Sequence, residues 1–466
     1  MESYPGKKAT IVFCRPGLTS KAESRWAHAL PLGLGYLASY VRNKGISVAI
    51  VDAKVEHHVS SDMTASAIME RQPKYVGISA MTFDFPLAIL IAEKLKNHLR
   101  PPVVIFGGPH TSALPEKSLL ETTAIDFILV GQAEESIVKL LQCLENNTGF
   151  SGVPGLYWRA ANGTILHNTQ AVEFADLTSL PFPAWDFWPS QKAYPVMTER
   201  GCPFRCVFCC HNMGRIMRSR PIWHVMEEIH WLKDKFGAEV IGFEDETFGL
   251  DKNRTSELLR LCSEFNKSKS LTFIAQTRAD IVTKELVTLM KAAGFDWISI
   301  GIESGDDKIL KNTQKDITVR QIEESVRVAR SAGLKLWPKF IIGLPGETHE
   351  SALRTIRLAV RINPEKFGVA VIVAYPGCKI YEWALNKENG YRFLSNDWKN
   401  FDKYLSTSIE LETLDIRALK WLQLRLFLEV YLRNWRLFEL FRLMANEIDV
   451  VISILKSVLM PYAKIN

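Results

Sequence analysis

The sequence predicts two α/β regions in series followed by a helical tail. Three observations carry this reading. Short β-branched runs alternate with helix-length segments through residues 1–145. The alternation resumes at Tyr194 and repeats six times, and glycine, small and polar residues gather where the strand candidates end. Such alternation builds parallel sheets covered by helices, with ligands bound at the carboxyl ends of the strands.

In the first region the strand candidates are Thr10–Phe13, Ser47–Asp52, Tyr75–Ser79, Val103–Gly107 and Phe127–Val130, with helical segments such as Leu34–Lys44 and Pro86–Leu99 between them. Five strands match the flavodoxin-like form of the doubly wound fold. GISAMT (Gly77–Thr82), FGGPHTSALPE (Phe106–Glu116) and VGQAEES (Val130–Ser136) close the third, fourth and fifth strands. Gly107 and Gly108 carry no Cβ, so the backbone there admits a bulky ligand. Three such loops on one sheet edge predict a binding site.

Residues 146–190 break the rhythm. GLYWRAANGTILHN reads as a hairpin turning at Asn162-Gly163. LTSLPFPAWDFWP reads as an ordered linker. The second region, residues 191–385, has strand candidates Pro195–Thr198, Val240–Glu244, Leu271–Gln276, Trp297–Ile302, Leu336–Ile342 and Phe367–Ala374. Arg254–Asn266 and Val319–Ala332 are among its helices. Six βα units fall two short of a closed eight-unit barrel, so a wide opening is expected. Residues 386–466 complete the chain, helical from about Leu411, with Arg417, Arg425, Arg433, Arg436 and Arg442 set among Leu, Phe and Trp. Such helices pack with their Arg heads reaching solvent, or lie on a membrane surface.

The composition is that of a folded chain: 466 residues, 47% hydrophobic, 23% charged, and a net charge of +6 that does not call for nucleic acid. The N-terminus lacks the apolar core of a signal peptide. No run is long enough to span a bilayer. A cytoplasmic location is expected, with peripheral membrane contact open through the C-terminal helices. Cysteines there stay reduced.

Four of the eight cysteines lie in MTERGCPFRCVFCCHNMG (Met197–Gly214), directly after the first strand of the second region. Cys202, Cys206 and Cys209 follow a C-x3-C-x2-C spacing; Cys210 adjoins the last of them. Tetrahedral zinc requires four ligands, and His211 would have to supply the fourth. Three thiolates holding a four-iron cluster leave one iron open to substrate or cofactor. Cys14, Cys143 and Cys262 are scattered and offer no second ligand set.

C-x3-C-x-aromatic-C at the mouth of a partial barrel, with Phe208 as the aromatic, resembles the radical S-adenosylmethionine (SAM) superfamily. The resemblance implies a partial (β/α)6 radical SAM barrel and a 4Fe-4S cluster on Cys202, Cys206 and Cys209. It also implies SAM on the open iron, reductively cleaved to a 5′-deoxyadenosyl radical by an electron from an external donor such as flavodoxin or ferredoxin. Carried over motif by motif, it places Phe208, Glu244 and Asp245 (GFEDETF), Gln276 and Arg278 (AQTRAD), Glu303 and Ser304 (SIGIESGDD) and Gly343 (FIIGLPGET) beside SAM. AYPGCKIY (Ala374–Tyr381) ends the sixth strand.

The first region resembles the cobalamin-binding domain of class B radical SAM enzymes. That implies cobalamin contacts from Leu32, Gly33, Ser79, Thr82, Gly107, Gly108, His110, Gly131 and Glu134. No D-x-H motif occurs in the chain, so cobalamin without an axial protein histidine is implied, and His28, His57 and His58 read as loop or surface residues. The chain departs from relatives twice: Gln132 and Ala133 replace part of a G-E-G-E pattern, and Cys378 stands where Thr is common. The implied activity is a cobalamin-dependent radical SAM methyltransferase acting on an unactivated carbon of a large, apolar small molecule, such as a tetrapyrrole or polycyclic lipid. The alternative is a cyclase or rearrangement enzyme with the same cofactors. No protein side chain is assigned as catalytic beyond them.

Overall fold

The computed structural model describes residues 8–17, 30–169, 176–402, 406 and 408–446; His28 lies outside them. The chain divides into two compact units, Met1–Gln191 with His211–Pro221, and Lys192–Cys210 with Ile222–Asn466. The return of residues 211–221 to the first unit is a feature the sequence does not announce.

The first unit opens with β1 (Ile11–Arg15), α1 (Leu32–Asn43), β2 (Val48–Asp52), α2 (Ser61–Met69), β3 (Tyr75–Ser79), α3 (Phe85–Lys96) and β4 (Val103–Gly107). There follow α4 (Pro109–Ala113), α5 (Pro115–Glu121), β5 (Phe127–Leu129), α6 (Glu134–Asn146), β6 (Leu156–Arg159) and β7 (Ile165–His167). The sheet order is β2-β1-β3-β4-β5-β6-β7. The first five strands are parallel and doubly wound, as expected, and the hairpin β6–β7 extends the sheet antiparallel at one edge. Ile11 to Cys14 are buried, which is why these strands read as unbroken apolar runs. FGGPHTSALPE, read as a loop, winds into α4 and α5 instead. Each begins with proline in its first turn, where the missing N–H costs nothing.

The second unit contains β8 (Ala193–Val196), and two-residue strands β9 (Glu199–Arg200) and, back in the first unit, β10 (Arg218–Ser219) bracket the cysteine loop in sequence. Then come α7 (Ile222–Phe236), β11 (Val240–Phe243), α8 (Lys252–Phe265), β12 (Thr272–Arg278), α9 (Lys284–Ala293), β13 (Phe295–Glu303), α10 (Asp307–Asn312), α11 (Val319–Ser331), β14 (Lys335–Ile342), α12 (His349–Ile362) and β15 (Gly368–Val371). The six parallel strands run in the order β15-β14-β13-β12-β11-β8, the expected half-barrel. Its helices start on side-chain caps: Asp251 for α8, Thr283 for α9, and capping boxes Thr318/Gln321 and Thr348/Ser351 for α11 and α12. Phe243, Phe248, Phe273 and Phe295 stack within the core at centroid distances of 5.1–6.0 Å. Burying each ring contributes roughly 1.5–3 kcal/mol.

Register decides what the alternate face of this sheet presents. Arg278, Gly301, Lys339 and Gly368 stand side by side across β12–β15, and Gln276, Ser299 and Trp337 form the next row. On β14 these residues alternate with buried Leu336, Phe340 and Ile342.

The tail corrects one expectation. After α13 (Lys379–Asn386), β16 (Tyr391–Phe393) and β17 (Ile409–Leu411) pair as an antiparallel ribbon. Helix thus begins not at Leu411 but with α14 (Ile416–Arg433), where Asp415 caps the N–H of Ala418. Ile416, Leu419, Leu422, Leu426 and Val430 are buried at helical spacing, with α12, β14 and β15 as neighbours. This is the packing arrangement. In α15 (Leu437–Asn446), Phe438 and Phe441 are exposed. Among the described residues no helix is long and apolar enough to cross a membrane.

Candidate functional site

The cysteines follow β8, on the loop at its carboxyl end. Asp245, at the end of β11, ties that loop down by accepting from the Thr198 N–H and hydroxyl (both 2.6 Å) and from the Glu199 N–H (3.0 Å). Burial pushes the Asp245 carboxyl up to about 6 against these bonds. Asp245 is therefore a strut beneath the loop. The loop is also fixed by the Val207 N–H on the Thr313 carbonyl (3.0 Å) and the Ile380 N–H on the Val207 carbonyl (3.2 Å). The Cys209 N–H closes a turn on the Cys206 carbonyl (3.1 Å).

The thiols meet polar and cationic neighbours. Cys202 Sγ is 3.5 Å from Thr247 Oγ1, and Arg278 Nη1 is 3.8 Å from Cys206 Sγ. A hydrogen bond from the Cys209 thiol, reinforced by Lys315 and Arg278, brings Cys206 down to about 7. Three soft donors at ligand spacing, with two cations near Cys206, fit an iron–sulfur cluster, while the bond to Cys206 and burial push the Cys209 thiol up. Among the described residues no three His, Cys, Asp or Glu side chains converge on a single metal-ion position.

Around the cysteines the structure assembles some of the expected residues and turns others aside. Glu303, at the end of β13 with φ of 65°, forms a buried ion pair with Lys315 at 2.7 Å. Both lie against Gly301: a Cβ there would stand 2.7 Å from Glu303 Oε1 and 2.9 Å from Lys315 Nζ. Glu244, exposed just after β11, is shifted upward by partial desolvation. Gln276 is exposed and Phe208 half-buried. Ser304 is buried with its hydroxyl on Thr355 of α12 (3.2 Å), so it secures the strand end. Gly343 shares a buried knot in which its N–H and that of Leu344 donate to Glu347 Oε2 and its carbonyl accepts from the Tyr391 hydroxyl. Burial pushes Glu347 up to about 8. Cys210 and Cys378 meet thiol to thiol.

Lys315, Phe204, Thr247, Asp280 and Glu347 escape the sequence reading. Glu347 stands inside the quoted FIIGLPGET. Lys315 is found only by following the chain from Glu303 through α10.

In the first unit the expected cobalamin residues lie at or near the carboxyl ends of the strands. Gly108 has φ of 95°, and a Cβ there would approach the Ala80 carbonyl to 2.9 Å and Ser79 Oγ to 3.0 Å. Gly107 is half-exposed, with only the Leu129 carbonyl near its missing Cβ. His110 is buried, 4.0 Å from the Phe85 ring, with Nδ1 3.3 Å from Thr82 Oγ1. Burial lowers it to about 3, so it is neutral. Gly131 donates its N–H to Ser112 Oγ (3.0 Å), and Glu134 is buried in the first turn of α6. Leu32 and Gly33 open α1, Gly33 with free space beyond it. The open backbone of Gly33 and Gly107 leaves room for a large ring system such as a corrin.

A second polar cluster here was not read from the sequence. Asp52 accepts from Arg15 (2.7 Å) and from the indole N–H of Trp188 (2.7 Å), and Lys54 pairs with Asp84 at 3.1 Å. Gly35 admits the Trp185 ring, which a Cβ would meet at 2.9 Å. Buried Arg220 donates to the Tyr36 hydroxyl (3.1 Å) and lies over Phe182. The aromatic linker is thus part of the first unit's core.

Comparison with known proteins agrees with this geometry. Residues 196–359 match the Radical SAM superfamily and residues 26–141 the B12 binding domain. An uncharacterized methyltransferase of Pyrococcus horikoshii is 32% identical over 381 residues, covering 80% of this chain and 81% of the relative. The anaerobic magnesium-protoporphyrin IX monomethyl ester cyclase of Rubrivivax gelatinosus is 24% identical, covering 80% and 69%. Among solved structures, the radical SAM methyltransferase TsrM of Kitasatospora setae, with cobalamin and a [4Fe-4S] cluster bound, shares the fold with a TM-score of 0.68 at 17% identity, over 85% of this chain and 79% of that one. With both domains matched in order and a relative aligned along most of its length, the chain belongs to the cobalamin-dependent radical SAM methyltransferases, whose cofactors are a 4Fe-4S cluster, SAM and cobalamin.

Proposed function

We propose that this chain methylates an unactivated carbon of a large, apolar small molecule. Bound, the three cofactors supply a radical that removes hydrogen from carbon and a methyl group to replace it. The side chains position, exclude water and tune charge. Cys202, Cys206 and Cys209 would hold the cluster. Glu303 and Lys315, a fixed pair of opposite charges, would face the zwitterionic amino acid end of SAM, with Glu244 and Gln276 completing its polar border. Gly33, Ser79, Gly107, Gly108 and Gly131 would border cobalamin.

The observation that carries the reading is the loop itself: three thiols at ligand spacing, at the carboxyl end of β8, with Arg278 and Lys315 near Cys206. The apolar substrate class rests on the family resemblance, since the alternate face of the half-barrel is mixed, with Lys339 and Lys366 over the Trp337 ring and Lys335 and Lys366 over that of Trp297. The test uses anaerobically reconstituted protein with cobalamin, reductant and SAM deuterated in its methyl group. S-adenosylhomocysteine and 5′-deoxyadenosine are quantified together by mass spectrometry, beside a Cys206→Ala control. Both products, with only 5′-deoxyadenosine lost in the control, support methyl transfer. Production of 5′-deoxyadenosine alone, under conditions in which cobalamin is bound, reassigns the chain to cyclisation or rearrangement, the activity named for its cyclase relative.

A further inference from the structure

We propose that Arg278 sets the reduction potential of the cluster by directing its guanidinium at the Cys206 sulfur; this rests on the assignment of Cys202, Cys206 and Cys209 as cluster ligands. Arg278 is the last residue of β12 and is only 6% exposed. Its nitrogens are divided among distinct partners. Nε and Nη2 hold the two oxygens of Asp280 at 3.0 and 3.1 Å, and Nη2 also donates to the Lys315 carbonyl at 2.6 Å. Nη1 points to Cys206 Sγ at 3.8 Å. The guanidinium lies 3.6 Å from the centroid of the Phe204 ring. Phe204 and Cys206 stand two residues apart on the cysteine loop, so the loop supplies both the ring that covers the cation and the sulfur it faces.

This geometry selects charge tuning over a simple strut. Asp280 and the Lys315 carbonyl already satisfy the strut role, yet the remaining nitrogen is spent on a ligand sulfur. One-electron reduction adds negative charge to the cluster, part of it on the thiolate sulfurs, and takes up no proton. A nearly buried cation donating to one of those sulfurs stabilises the reduced form and raises the potential. Asp280 offsets part of that charge. Lys315, a second cation near Cys206, is paired with Glu303 at 2.7 Å and makes no bond to the sulfur among those described. A lysine at position 278 would keep the charge but lose the fork that holds Asp280, the carbonyl and the sulfur together.

The experiment is a potentiometric titration of the reconstituted full-length chain without SAM, followed by EPR of the reduced cluster, with iron content measured alongside. Arg278→Gln is expected to move the midpoint to more negative potential, and Arg278→Lys to move it less. Asp280→Asn is expected to move it the opposite way, to more positive potential. Unmoved midpoints in Arg278→Gln and Asp280→Asn at wild-type iron content overturn the proposal and leave Arg278 a structural residue. If Arg278→Gln assembles no cluster, the sign of the Asp280→Asn shift decides: positive supports the proposal, zero or negative overturns it. A wild-type chain that assembles no cluster would instead refute the ligand assignment itself.

Discussion

The two parallel sheets of this chain set different chemistry at the same topological place. At the carboxyl edge of β1–β5 the polar groups pair locally: Asp52 with Arg15 and Trp188, Lys54 with Asp84, His110 with Thr82. The open positions are glycines. At the carboxyl edge of the half-barrel stand thiols, a buried Glu303–Lys315 pair and the Arg278 guanidinium. One edge is built to accommodate a shape, the other to ligate and to bear charge. A cofactor held by shape tolerates changes in side-chain chemistry but not in backbone; one held by ligands behaves the opposite way.

The sharpest break in that contrast is Cys206→Ala. Loss of one thiolate ligand is expected to lower iron content at least about tenfold, the lower limit for far milder changes around metal sites. Cobalamin retention, read from the absorbance of the same sample after gel filtration, is expected to be unchanged. Gly108→Val tests the other edge. With φ of 95° and the Ala80 carbonyl 2.9 Å from the new Cβ, it imposes strain and a clash, costing about 1–3 kcal/mol for the backbone conformation alone. Cobalamin is expected to be lost from this variant while iron stays at the wild-type level. Loss of both cofactors together would show that the two edges do not fail independently.

Smaller effects sharpen the comparison within each unit. Trp188→Phe leaves a buried Asp52 oxygen without its indole donor, and a cost of about 1–3 kcal/mol is expected in urea unfolding. In the second unit, Glu347 has one carboxylate oxygen buried without a partner among the described residues, and its folded-state pKa is raised from the ordinary 4.5 to about 8. The neutral form is therefore favoured in the folded chain. That stabilisation is complete below pH 4.5 and is lost as pH rises through about 8. The wild-type melting temperature should accordingly fall across this interval, and Glu347→Gln should flatten the profile. An equally steep profile in the variant would assign the pH dependence elsewhere. The smallest effect is expected for Arg42–Asp186, a half-exposed pair at 2.6 Å. A double-mutant cycle there should give less than about 1 kcal/mol.

Much of this was legible in the primary structure, for identifiable reasons. The strand runs of the first sheet are apolar because both faces are buried, and those of β12 and β14 in the half-barrel alternate because one face is packed and the other is open. The hairpin announces itself through Asn162-Gly163. The cysteines proposed as ligands occupy one short loop, so their spacing survives in the linear order. The ribbon β16–β17 was missed because its two strands are three residues each and separated by a segment longer than either strand. Ser304 lies in a motif whose residues look equally available, yet β13 turns its hydroxyl under α12.

The sequence by itself determined the order of the domains, the cysteine spacing proposed to hold the cluster and the glycine loops, because each depends on residues that are neighbours along the chain. Only the tertiary structure decided that Arg278 faces Cys206, that Lys315 closes on Glu303, and that the linker's Trp188 satisfies Asp52. Those partners are 72, 12 and 136 residues apart. Strand register, burial and the hydrogen-bonding needs of charges removed from water bring them together, and none of these leaves a periodic trace in the chain.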